Sequence, residues 1–267
     1  MSIGTLDAGR QRVTLPRVVH MEWIKFWTLR STIYTLAITV LLLVGFGAII
    51  SSVIGSGEGP DANDFGDPVS ISLGGVTFAS LAIATLGVLM SAGEYATGTI
   101  RATLAAVPAR LPVLWAKAVV FAAATFGFML AAVLGAFLVG QAILSSRGLD
   151  TVALSDSGVL RAVVGSAVYL TGAGLIGLAV GALMRNTAAA ITTVVAALFL
   201  VPGLFQLLPQ SWNDNVAPYL PSNAATAFTS VTSTGSTLST WSGLAVFAGY
   251  IAVLLVAAAG LLKRRDA

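Results

Sequence analysis

Of 267 residues, 57% are hydrophobic and 9% are charged, whereas a soluble domain carries about 25% charged residues. The chain therefore reads as one integral membrane domain with no length left for a soluble catalytic domain. It has no cysteine and one histidine, His20, which excludes disulfides and thiolate sites and leaves no basis for a zinc centre or a Ser-His-Asp triad. The net charge of +3 is too small to point to nucleic acid, so its distribution along the chain carries the information.

Residues 1–12 are polar, and no secretory signal is evident, because the first apolar run begins near Ile33 and lacks a small-residue cleavage pattern. Thr14 and Pro16 mark a helix start. Beyond them Val19, Trp23, Phe26 and Trp27 fall on one face, with Arg17, Glu22, Lys25 and Thr28 on the other. Two tryptophans flanked by bases, ending at Arg30, fit a helix lying among lipid headgroups. The alternative is a plain cytoplasmic extension of the first span. His20, at the edge of the apolar face, reads as an interfacial residue rather than a pH switch.

Residues 1–30 thus form a cytoplasmic tail and interfacial helix, and residues 31–267 an all-α domain of six spans, near 31–54, 69–91, 112–139, 159–184, 188–208 and 243–262. The loop before the second span carries Glu58, Asp61, Asp64 and Asp67. It is a poor calcium loop, since Phe65 takes a ligand position and Ser72 replaces the closing Glu; a solvated acidic loop with no metal is expected. A polar loop, Gln141–Ser157, separates spans three and four, and Arg185-Asn186-Thr187 turns tightly into span five. Pro209–Ser242 is broken by Pro209, Pro218 and Pro221 and carries Trp212 and Tyr219, which suits short re-entrant extracellular helices before the sixth span. No 20- to 50-residue repeat is present.

Six spans put both termini on one side. That side holds twelve of the fourteen Lys and Arg, all but Arg147 and Arg161, and four of the eleven acids, giving +8 against −5. The positive-inside rule then places both termini in the cytoplasm of a cell that holds the chain in its plasma membrane. The span interiors lack the ionisable groups that proton- or ion-coupled transport requires, and no base is available to activate an intramembrane Ser or Thr. Gly165, Tyr169, Ala173, Gly177 and Gly181 form one small-residue ridge on the fourth span. It suits close helix packing, within the bundle or at a subunit interface.

The charge missing from the spans gathers between the second and third: Glu94-Tyr95-Ala96-Thr97-Gly98-Thr99-Ile100-Arg101, then Pro108, Arg110 and Lys117. Gly98 permits a turn, residues 99–104 suit a short helix with mixed faces, and Pro108 ends it. A short amphipathic helix in such a loop suits docking into a groove of a soluble partner. Here the chain resembles the permease subunits of type-2 ABC exporters. The resemblance rests on Glu94-x-x-x-Gly98-Thr99-x-Arg101 with Pro108, Arg110, Leu114 and Lys117, on Glu22-Trp23-x-Lys25-x-x-x-Leu29-Arg30-Ser31-Thr32 as in actinobacterial members, and on the polar segment between spans five and six. It covers essentially the whole chain.

That resemblance implies a translocation path formed by two permeases, as a homodimer or heterodimer, working with two separately encoded ATP-binding subunits. Multidrug or antibiotic export would be the class of activity. The loop helix around Gly98–Leu104 would be the coupling helix seated on the ATPase, with Glu94, Gly98, Thr99, Arg101, Leu104, Pro108 and Arg110 as docking residues. The N-terminal helix, through Val19, Trp23, Lys25, Phe26, Trp27 and Arg30, would brace that contact. ATP and Mg would sit on the partner subunit and no cofactor on this chain, which has no Gly-x-x-x-x-Gly-Lys-Ser/Thr loop and so no ATPase site of its own. Other readings of the same residues are a non-transporting scaffold or immunity subunit, an ATP-independent facilitator, and a membrane-embedded enzyme, the last disfavoured by the missing acid, base and metal residues.

Overall fold

The computed structural model describes residues 14–56, 67–99, 110–232 and 238–264. Among them there is no strand, and six helices are long and apolar enough to cross a membrane. In chain order the helices are α1 (Leu15–Thr28), α2 (Arg30–Ser56), α3 (Pro68–Ser72), α4 (Val76–Ala96), α5 (Arg110–Ser146) and α6 (Val159–Met184). The fifth helix long and apolar enough to span is built of α7 (Thr187–Val195), a π-helical stretch (Ala196–Leu200) and α8 (Val201–Phe205). Then come α9 (Gln210–Asn215), a 3₁₀ turn (Ala217–Tyr219), α10 (Pro221–Thr229) and α11 (Thr240–Arg264).

The bundle is organised around α6, whose apolar window is 83% buried. It runs parallel to α4, with Ala84 against Gly177, and Ser91 against both Leu178 and Gly181. Backbone comes close because the contact residues are small: a Cβ on Gly177 would overlap the Ala84 carbonyl, and one on Gly181 the Ser91 hydroxyl. The Ser91 hydroxyl donates to the Leu178 carbonyl at 2.7 Å, a cross-helix bond. Gly165, three ridge positions before Gly177, meets the Phe228 carbonyl of α10 instead. All three ridge glycines are thus occupied by elements of the same chain.

Three boundaries differ from those read in the sequence. The stretch 69–91 is two helices, α3 and α4, because the chain turns at Leu73–Gly75, where Gly75 abuts the Leu43 carbonyl of α2. Helix α5 runs on to Ser146, through residues expected to be loop. Gln141 makes this affordable: its Nε2 donates to the Pro68 carbonyl (3.1 Å) and the Ser72 hydroxyl (3.0 Å), and its Oε1 accepts from Val152 N–H (2.9 Å). The fifth span is not a regular helix, since π-turns precede Pro202, which has no N–H for a helical bond.

The end of the bundle away from α1 is fastened by side chains. Asp67 caps α3, its Oδ1 accepting from Val69 and Ser70 N–H at 2.9 Å, while its Oδ2 accepts from the Ser70 and Thr232 hydroxyls. Arg161 donates to the Thr240 hydroxyl and to the Ser230 carbonyl. Asp67→Ala removes a cap and the tie to Thr232. It is expected to cost about 1–2 kcal/mol and to free the backbone at Ser230–Thr232 for protease, read by thermal unfolding and limited proteolysis in detergent.

Candidate functional site

At the opposite end, three helices converge on four charges. Helix α1 begins with Pro16 in its first turn and stops at Leu29, whose extended backbone (φ −74°, ψ 119°) separates it from α2. Its buried strip is Val18, Glu22 and Phe26, spaced i, i+4, i+8. This strip lies along a matching strip of α5: Val18 packs on Val113 and Ala116, Glu22 pairs with Lys117, and Phe26 meets Phe121 edge-on with ring centroids 6.2 Å apart. The constant offset means α1 and the start of α5 run side by side.

The periodicity had placed Phe26 with Trp23 and Trp27, and Glu22 with the polar residues. The structure corrects both. Phe26 is in the core, Glu22 is fully buried beside it, and Trp23 and Trp27 remain exposed, packed edge-to-face on one another at 5.9 Å. Val19 is half-buried against both neighbouring clusters. Helical phase puts Glu22 on the polar side of α1, and a carboxylate normally faces solvent. The missed signal was a partner: Lys117, eight residues into an apolar helix, needs a counter-ion.

Lys117 Nζ lies 2.9 Å from Glu22 Oε2 and 2.7 Å from Glu94 Oε1. Lys25 Nζ lies 2.5 Å from Glu94 Oε1 and 3.3 Å from Glu22 Oε1. Each ammonium touches both carboxylates, so the ring closes and is formally neutral. Its side chains are 0% (Glu22), 5% (Lys117), 10% (Glu94) and 27% (Lys25) exposed. Burial pulls the Lys25 ammonium down, but its hydrogen bond to Glu94 and the field of both carboxylates outweigh this and hold it above its ordinary value. It stays charged at neutral pH, and what it contributes is lost only as the pH rises through that raised value.

Glu94 and Lys117 belong to helices long and apolar enough to cross a membrane. They sit near the ends: Glu94 is the third residue from the end of α4, and Lys117 about 10 Å into α5. Such a ring is poor acid–base machinery, since each carboxylate is engaged by two ammoniums. It is well suited to fixing the relative positions of α1, α4 and α5. Removing one member of such a set leaves an uncompensated buried charge, which makes the arrangement all-or-none.

Directly beyond the ring the chain leaves α4. Gly98 turns in the left-handed region (φ +71°), and the Thr97 and Thr99 hydroxyls lie 2.9 Å apart. A cavity of about 460 Å³ opens here, bordered by Lys25, Leu29, Met90, Glu94, Thr97 and Thr99. Across the same end, the Arg185 guanidinium stacks over the Tyr95 ring at 5.1 Å. Arg101, Leu104 and Pro108 lie outside the described residues; Arg110 opens α5, but its side chain also lies outside them. Arg30, the first residue of α2, is not part of the ring. The ring therefore joins Lys25 and Glu94 of the sequence-derived set to Glu22 and Lys117. Comparison of the sequence with protein-family models and with curated proteins finds no match.

Proposed function

We propose that this chain is the transmembrane permease subunit of an ATP-driven exporter of the type-2 ABC kind. In this reading it works as a dimer in the plasma membrane, with both termini cytoplasmic, and couples to separate ATP-binding subunits that hold ATP and Mg. The observation that carries the proposal is the ring of Glu22, Lys25, Glu94 and Lys117. It ties the pre-span helix to both helices that flank residues 97–109, so force applied to that segment passes into α1, α4 and α5 together. A loop that only linked two spans would not need two buried ion pairs at its root, given their desolvation cost.

Sequence resemblance supports the same reading, through Glu94-x-x-x-Gly98-Thr99-x-Arg101 and the Glu22-Trp23-x-Lys25 segment. The loop supplies the docking surface, with Arg101 offered to acids of the ATPase. Co-purification with the ATP-binding protein encoded beside this chain tests it. Wild type is expected to retain the ATPase in detergent, and Arg101→Glu to lose it while inserting normally. Equal recovery with both would remove the docking role, and recovery with neither would favour a scaffold or facilitator.

A further inference from the structure

The end of the bundle away from the charge ring contains a cavity of about 540 Å³ between the start of α4, the middle of α6, the π-helical wall of the fifth span and α10. That volume is in the range of small-molecule sites. Ten of its eighteen lining residues carry a hydroxyl or amide, and none carries a formal charge. The two charges that touch lining residues, Asp67 at Ser70 and Arg161 at Ser230, are already engaged by hydrogen bonds within the chain, so a charged guest would find no free counter-ion in the lining.

The hydrogen bonds of the lining narrow the guest further. The hydroxyls of Ser166, Thr226, Thr229 and Ser230 donate to carbonyls of their own helices, and Tyr169 donates to Ser80. Their protons are committed, whereas their oxygen lone pairs still accept. The cavity thus offers mostly acceptors, with the Thr77 hydroxyl and the Gln206 amide left to donate, and its natural guest is a polyol, whose hydroxyls both donate and accept. Beside the cavity one buried hydroxyl, that of Ser222, has no partner among the described residues. A buried hydroxyl left unpaired is costly. The wall opposite is the π-helical stretch, whose Leu198 and Phe199 line the cavity together with Pro202 and Gly203 and offer it an apolar face. π-Helical turns of this kind recur at functional sites.

We propose that this cavity binds an uncharged amphiphile bearing several hydroxyl groups, of the alkyl glycoside kind, with its head among the α6 and α10 hydroxyls and its chain along the fifth span. The inference concerns this chain alone, and its test contains no ATP-binding subunit, so it stands or falls separately from the transport reading. The test is photolabelling in phosphatidylcholine nanodiscs with an alkyl-diazirine glucoside, compared with the same chain carrying a sulfate or a trimethylammonium head. Labelled residues are mapped by mass spectrometry. The glucoside is expected to label the 198–203 and 222–230 segments about tenfold more than either charged analogue, an uncompensated charge being the costlier guest, and excess octyl glucoside should compete.

Two variants keep the test independent of folding. Gln206→Leu deletes a lining amide that bonds nothing among the described residues, so its melting temperature should hold while labelling falls roughly three- to tenfold. Gly203→Phe adds a large side chain at a lining position where a Cβ meets nothing within 4 Å, and it should cut labelling at least tenfold. Equal labelling by all three head groups, no labelling of these segments, or labelling indifferent to both variants would overturn the proposal.

Discussion

Lys117→Met is expected to cost about 3–5 kcal/mol, because it leaves Glu22 and Glu94 buried with one ammonium between them, and that one, Lys25, 3.3 Å from Glu22. The loss should appear as a large fall in melting temperature in detergent and as release of α1, detected by protease cleavage after Thr28. The charge swap Glu22→Lys with Lys117→Glu keeps two charges of each sign in the same place and should recover most of the loss. Replacing all four members by Leu or Met should also restore stability, since well-packed apolar side chains often match buried ion pairs. That quadruple variant separates the two roles of the ring: it should fold, yet transmit nothing between loop and spans. A Lys117→Met protein that melts with wild type would show that the ring does not bear on the packing of α1.

Gly177→Leu should be at least as damaging, for a steric reason. The new Cβ overlaps the Ala84 carbonyl, and the Ala84 Cα lies only 3.2 Å away. Helices α4 and α6 would have to separate, breaking the Ser91–Leu178 bond. Overpacking ordinarily costs about 1–3 kcal/mol; here backbone rather than a movable side chain is struck, so an aggregated peak in size-exclusion chromatography is expected. Gly127→Leu is the matched control, because a Cβ there meets nothing within 4 Å. A monodisperse Gly177→Leu protein would mean the two helices are not held this close.

The six helices long and apolar enough to cross a membrane were legible because each needs only a long apolar run, and residue polarity at their ends marks the turns. The fourth is the clearest case: Gly158 and Arg185, both left-handed, and Asn186 as the next cap bound 159–184 as the sequence suggested. What the sequence hid depends on contacts across the chain. The break between α3 and α4 follows from the approach of Gly75 to α2, and the length of α5 from the partners Gln141 finds on α3 and at Val152. The burial of Glu22 could not be read from α1 alone, because helical phase puts it among polar residues until Lys117, 95 positions away, is placed beside it. Glu94 and Lys25 stood out as charges near the loop, but their pairing is a tertiary fact.

The transport reading is tested most directly by ATP hydrolysis in lipid, with the ATP-binding subunit reconstituted alone, with this chain, and with a Glu94→Gln variant shown to remain folded. Hydrolysis is expected to rise several-fold with the wild-type chain and to stay at the unassisted level with Glu94→Gln. Equal hydrolysis with and without the wild-type chain would contradict it, leaving the ring a device for packing helices and nothing more.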